Sequence, residues 1–237
     1  MKTLFSIIIS LVLVFTSSTF AWIDNFNDGK DDGWTVVQGD WKVKDGKYSQ
    51  KDKEWVSTAS METFHRSFIG DINWTDYTAK VDVIIDDPGD VAPIAGIFIR
   101  VTQKSDEGQY YFFRIDTRPE WGPCANESPN NNFAGNQQPP VEGGLESPAI
   151  EENEVEYHLE VIAEGNHFLF YVDGKLFLDV TDDVDPILRG AVGLGTFNCG
   201  ASFDNLEVKG EGLGISKEGK LATFWGMLRS GSRYVTH

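Results

Sequence analysis

The chain has 237 residues and a formal net charge of −17, from 37 acids against 20 Lys plus Arg. That balance excludes a general positive field for nucleic acid or anionic lipid. Its 2 Cys exclude a disulfide-dense mini-scaffold or a Cys₄ zinc site, and 13% aromatic residues argue against wholesale disorder.

Residues 1–21 read as a secretory signal peptide. Lys2 supplies a positive start, Leu4 to Phe15 is apolar apart from Ser6 and Ser10, and Thr19 and Ala21 are the small residues a cut after Ala21 needs. The apolar run is short for a membrane span. An uncleaved anchor is the alternative, but no stable membrane span is expected after cleavage. The expected location is extracellular or periplasmic.

The chain from residue 22 reads as strands and turns. Trp34 to Val37 and Trp41 to Val43 bracket Gly39-Asp40, and Asp45-Gly46 makes a turn before Lys47-Tyr48-Ser49. In Tyr77 to Ile85, Tyr77, Ala79, Val81, Val83 and Ile85 share one face. Ala95 to Val101 and Tyr110 to Asp116 are β-branched and aromatic runs, and Tyr157 to Ala163 alternates again. Phe168 to Val172 and Leu176 to Val180 flank Asp173-Gly174, a strong hairpin signal. Ala191 to Phe197 and Ser202 to Val208 close the series. No long apolar stripe of helical period interrupts them. The expected fold is all-β, a two-sheet antiparallel β-sandwich of the jelly-roll kind.

Two segments stand apart. Thr117 to Ile150 holds six prolines with many Asn, Gln and Gly, too long for an ordinary hairpin loop. No Lys or Arg occurs between Arg118 and Lys175, which leaves Arg100, Arg114 and Arg118 as a small basic exception on an acidic domain. Residues 210–237 form a tail, either a short helix or disordered, whose last 21 residues are basic, with Lys217, Lys220, Arg229 and Arg233 against Glu218.

The order of the pieces carries a resemblance. Asp24-Asn-Phe-Asn-Asp-Gly29 leads to Gly33-Trp34, Gly39-Asp-Trp41, Asp45-Gly46 and Trp74-Thr-Asp-Tyr77. Ala95-Gly-Ile-Phe-Ile-Arg100, Tyr110-Tyr-Phe-Phe-Arg114, Tyr157-His-Leu-Glu160 and Val172-Asp-Gly174 follow. Gly190-Ala-Val-Gly-Leu194 and Phe203-Asp-Asn-Leu206 end the series. Residues 22–209 resemble concanavalin A-like (laminin G-like) jelly-roll domains, in particular exported bacterial 3-keto-disaccharide hydrolase-type domains and fructan-binding modules. The resemblance implies a jelly roll, export and a glycan-related role. It leaves catalysis undecided, because one fold carries many functions.

Alternation places the candidate ligand face. With Ile97, Ile99, Val101, Tyr111, Phe113 and Ile115 turned to the core, Gly96, Phe98, Arg100, Tyr110, Phe112, Arg114 and Asp116 turn outward. Ala191, Gly193, Gly195 and Phe197 would join them as a floor of small residues. Aromatic faces pack against sugar C–H surfaces, and Arg and Asp bind hydroxyls. Trp121 and Phe133 on the long segment would wall the groove. The alternative is an Arg–Asp pair between strands and rings that merely pack. The candidate ligand-binding residues are thus Phe98, Arg100, Tyr110, Arg114, Asp116, Trp121 and Phe197.

No catalytic set stands out. Paired carboxylates are the feature a glycosidase needs, and the Glu-x-Asp-x-x-Glu strand signature is absent. Asp116 and Glu120 are separated by Pro119, and Asp82, His158 and Glu160 read as polar residues of a half-exposed sheet. Asp24 and Asp204 sit where jelly-roll domains hold a structural calcium ion; turn-forming Asp is the alternative. In an exported protein Cys124 and Cys199 are expected to pair, pinning the Trp121 segment beside Phe197 and stabilising by about 4 kcal/mol. Two free thiols are the alternative.

Three functions compete. The preferred one is an exported domain that binds a glycan or oligosaccharide through its concave face, without nucleic acid. The others are a glycoside hydrolase or lyase of the 3-keto-disaccharide hydrolase type, and a protein-binding surface or scaffold domain.

Overall fold

The computed structural model describes residues 20–53, 57–58, 61–62, 64–89, 92–118, 121–127, 134–135, 150, 152–210 and 213. The expected signal segment up to residue 19, Phe133, Glu120 and the tail beyond Leu213 lie outside the described residues.

The elements in chain order are β1 (Phe20–Asp24), β2 (Thr35–Gln38), β3 (Trp41–Lys44), β4 (Lys47–Gln50), β5 (Ser57–Thr58) and β6 (Met61–Glu62). Then come β7 (His65–Ile69), β8 (Tyr77–Pro88), β9 (Ile94–Val101), β10 (Tyr111–Asp116), β11 (Cys124–Glu127) and β12 (Ala134–Gly135). The series ends with β13 (Glu156–Glu164), β14 (His167–Val172), β15 (Lys175–Thr181), β16 (Ala191–Phe197) and β17 (Cys199–Gly210). Among the described residues there is no helix, hence none long and apolar enough to cross a membrane.

Two antiparallel sheets carry the fold. The first runs β15-β14-β13-β8-β17-β4-β3, with β1 also on β17, and the second runs β12-β11-β10-β9-β16-β7-β2. Tyr77, Ala79, Val81, Val83 and Ile85 all face one core, as the alternation of β8 requires. From the second sheet Ile97, Ile99, Tyr111, Phe113, Ile115, Val192 and Leu194 meet them. The chain is thus the expected two-sheet sandwich. The core extends to Leu213, beyond residue 209, and β1 starts at Phe20, ahead of the expected first residue of the domain.

The Asp-Gly turns are built as their residues demand. Asp45 and Gly46 have φ of 52° and 75°, and Asp173 and Gly174 have 50° and 72°. Both central residues on the positive side give the turn twist that joins two adjacent strands.

Three features were not anticipated. The first is β7. All five of its residues are buried, so its polarity does not alternate. The second is a bulge. Against β16, Val101 is opposite Ala191 but Phe98 is opposite Gly193, and Arg100 has φ of 55°. The bulge inverts the faces after Ile99. Val101, expected in the main core, therefore belongs to a second cluster. The third is that cluster itself, on the other face of the second sheet: Phe64, Phe68, Ile94, Phe98, Tyr110, Phe112 and Phe197 pack there.

Candidate functional site

The outward face of β10 carries Phe112, Arg114 and Asp116, continuing the line begun by Tyr110 just before the strand. Alongside in β9 lie Phe98 and Gly96, opposite Phe112 and Arg114. On the other side Asn126 lies opposite Phe112 and Cys124 opposite Arg114. The expected residues Phe98, Tyr110, Arg114, Asp116 and Phe197 therefore share one face. Arg66 and Phe68, which the sequence reading left unassigned, extend it on β7.

The face is apolar in the middle. Phe98 and Phe112 stack at 4.1 Å with planes 16° apart, and Phe68 meets Phe98 edge-on at 5.5 Å. These three rings are fully buried. Gly193 and Gly195 do form the floor, but as seats for rings. A Cβ on Gly195 would collide with Phe98, and one on Gly193 with Phe68. The glycines serve close packing of rings on backbone.

At one end Arg66 donates from Nη1 to Tyr110 Oη at 3.2 Å and from Nη2 to Asp106 at 2.7 Å. At the other end Asp116, fully buried, is surrounded by donors. Arg118 donates from its backbone N at 3.1 Å and its Nε at 2.9 Å to Oδ1, and from Nη2 at 2.5 Å to Oδ2. Arg114 adds Nη1 to Oδ2 at 3.4 Å and sends its Nε to Asn126 Oδ1 at 2.6 Å. The Arg118 guanidinium lies 3.8 Å from the centre of the Trp121 ring. Arg118 is 27% exposed, whereas Arg114 is 5%. The Arg118–Trp121 pair is thus the solvent-facing rim of a buried Arg–Asp–Arg set. Charge-assisted bonds of this kind fix guanidinium planes as well as charge.

Arg100 does not join them. The bulge turns it toward the far end of the sandwich, where it is fully buried. Its backbone N donates to Tyr77 Oη at 2.8 Å, Nη1 to Leu188 O at 2.6 Å, and Nη2 to Asp76 and Gly165 O, each at 3.2 Å. It clamps β9 to loops of the other sheet.

Asp24 and Asp204 are also apart from the face. Asp24 accepts from Phe26 N at 3.1 Å and from Trp34 Nε1 at 3.0 Å, which ties the Asp24-Asn-Phe motif to an aromatic cluster. Asp204 accepts from Asn205 N at 2.7 Å. Among the described residues no group of three His, Cys, Asp or Glu side chains that could hold a metal ion assembles. Asp82 pairs with His158 at 2.5 Å and Glu160 with Lys80 at 2.9 Å on the other sheet's outer face.

The cysteines are free, which corrects the expected disulfide. Cys124 is on β11, and Cys199 starts the last strand and donates its thiol to Ile94 O of β9 at 3.1 Å. The two are held in different sheets, Cys124 in the second and Cys199 in the first, where it lines the main core. A disulfide needs Cα atoms about 4.4–6.8 Å apart. Burial pushes the Cys124 thiol up to about 11, against the pull of Arg114. It pushes Cys199 up to about 12.

One carboxylate is tuned toward neutrality. Burial, then Asp182 and Asp185, push Glu127 up to about 7. It faces Tyr111 across the ladder, and Tyr111 Oη donates to Asp182 at 2.5 Å and accepts from Ile187 N at 3.0 Å. No motif pointed to Glu127.

The model of the 3-keto-alpha-glucoside-1,2-lyase-like domain matches residues 21–209. The chain belongs to this family. An uncharacterized protein of Methanocaldococcus jannaschii is 27% identical to this lyase-like domain over 195 residues, 80% of each chain. The carbohydrate binding module CBM66 from Bacillus subtilis superposes with a TM-score of 0.57 at 20% identity, covering 74% of this chain and 95% of the module. The alginate lyase Aly36B, solved with an alginate trisaccharide, superposes with a TM-score of 0.51 at 12% identity, covering 79% and 97%. These two likenesses concern the fold.

Proposed function

We propose that this lyase-like domain is an exported carbohydrate-binding protein whose ligand docks at the Arg114–Asp116–Arg118–Trp121 end of the outward face. One observation carries the reading: a guanidinium fixed by a buried carboxylate and stacked at 3.8 Å on a tryptophan at the exposed rim. A fixed cationic fork beside an indole offers hydrogen bonds to sugar oxygens and apolar contact to the C–H edge. The fold shared with a carbohydrate binding module agrees with it. Export rests on the residue pattern of positions 1–21.

Phe98 and Tyr110 would act in the face as packing, because both are buried. Asp116 is the carboxylate at the centre of this end, and its oxygens are taken by arginines. That arrangement suits binding better than a two-carboxylate hydrolysis. The family name and the fold shared with a lyase favour the second reading, a lyase or hydrolase acting on keto-sugars.

A glycan array probed with the protein tests the first reading, with Trp121→Ala as the control that should lose the signal. An array with no ligand for the wild type overturns it. Release of product from a 3-keto-glucoside would establish the second.

A further inference from the structure

We infer that the ligand of this site carries a carboxylate, as a uronic acid residue does, and docks it on Arg118. This deepens the binding reading above and rests on it. The argument is an inventory of donors and acceptors at the rim.

The acceptors are spent. Both oxygens of Asp116 are taken: Arg118 donates its backbone N–H and two guanidinium N–H groups, and Arg114 adds one guanidinium N–H. Asn126 Oδ1 receives Arg114 Nε at 2.6 Å. The donors are not spent. Among the described residues Arg118 Nη1, Arg114 Nη2 and Asn126 Nδ2 have no assigned acceptor. A guanidinium carries five N–H donors and no acceptor.

Sugar hydroxyls both donate and accept, so a neutral-sugar site presents both kinds of group. A site left with donors suits an acceptor-only group, and a carboxylate is the acceptor-only group of acidic sugars. Two guanidiniums face one carboxylate, so the set keeps a net positive charge within a chain of net −17. That local charge attracts an anion where the rest of the surface repels it. The Trp121 stack and the Asp116 bonds hold the Arg118 plane before the ligand arrives, which lowers the ordering cost of a two-point contact.

The test is calorimetric titration of the full chain with tetrasaccharides of galacturonate and mannuronate, each as the free acid and as its methyl ester. The ester keeps the sugar and removes the charge. The expected result is binding of at least one acid form, about tenfold or more tighter than its ester, the scale of one charge-assisted bond. Affinity should fall as salt rises. Arg118→Gln should abolish the preference for acid over ester, and Arg118→Lys should restore part of it. Should Arg118→Gln fail to fold, the wild-type comparison of acid with ester decides alone. Esters binding as well as acids, or neutral oligosaccharides binding while every acid form fails, overturns the inference and leaves the binding reading standing. Failure of all glycans, charged and neutral, overturns both.

Discussion

Arg118 is held on two sides by residues of opposite character: its guanidinium lies 3.8 Å from the centre of the Trp121 ring while its edge is spent on Asp116. The stack belongs to the rim and the carboxylate to the buried face. Substitutions at these positions should therefore separate binding from folding. Trp121→Ala removes a partly exposed cation–π contact worth about 0.5–1 kcal/mol. Its unfolding midpoint should stay near that of the wild type while glycan affinity drops about tenfold. A large loss of stability would show that Trp121 packs rather than binds.

Asp116→Asn should do the reverse. Asp116 is fully buried and its charge faces Arg114 and Arg118. The substitution leaves two guanidiniums without a counter-charge, one of them buried. Breaking such a set costs about 3–5 kcal/mol. Urea unfolding is the measurement, and a change below about 1 kcal/mol would mean that solvent already screens the set.

Gly195→Ala tests the aromatic layer. The added methyl would strike the Phe98 ring, which also stacks on Phe112. Overpacking of this kind costs about 1–3 kcal/mol. The near-ultraviolet circular dichroism of the aromatic cluster should change with it. An unchanged spectrum and stability would show that the ring layer yields freely.

The sandwich was legible because half-buried strands write their face into every second residue. Tyr77 to Ile85 did so, and Asp45-Gly46 and Asp173-Gly174 announced their own turns. Part of the site was legible for the same reason, since alternation put Phe98, Arg114 and Asp116 on one face. It failed at Arg100, where a positive φ that residue type does not announce inverts the count. It failed again at β7, buried on both faces and therefore without alternating polarity, and so Arg66 and Phe68 were missed. Gly193 and Gly195 are small in the sequence, but the rings of neighbouring strands that cover them are not a local signal. Cys124 and Cys199 show the same limit, because compartment chemistry says nothing about which sheet holds each of them.

Glu127 makes stability depend on pH with a definite sign. Its folded pKa is raised to about 7, first by burial and then by Asp182 and Asp185. The folded state therefore holds this proton more tightly than the unfolded chain. This group's contribution to stability is complete below the ordinary carboxylate range and is lost as pH rises to about 7. Glu127→Gln keeps the shape and removes the titration. The variant should melt higher than the wild type at pH 8, and the gap should close by about pH 4. An equal gap at both pH values would mean that Glu127 acts through packing.

The two thiols give the last test, because the expected bond and the observed geometry predict opposite results. Cys124 and Cys199 are both free and fully buried, and are held in different sheets. Burial raises both thiols well above neutrality, so neither is a reactive thiolate in the folded state. Protein purified under oxidising conditions should show almost no thiol toward Ellman's reagent when folded and two thiols per chain in denaturant. Dithiothreitol should leave the melting temperature unchanged. A bond across so long a loop would instead add stability of about 4 kcal/mol. Oxidised protein that shows no thiol in denaturant and melts lower on reduction would restore the disulfide reading.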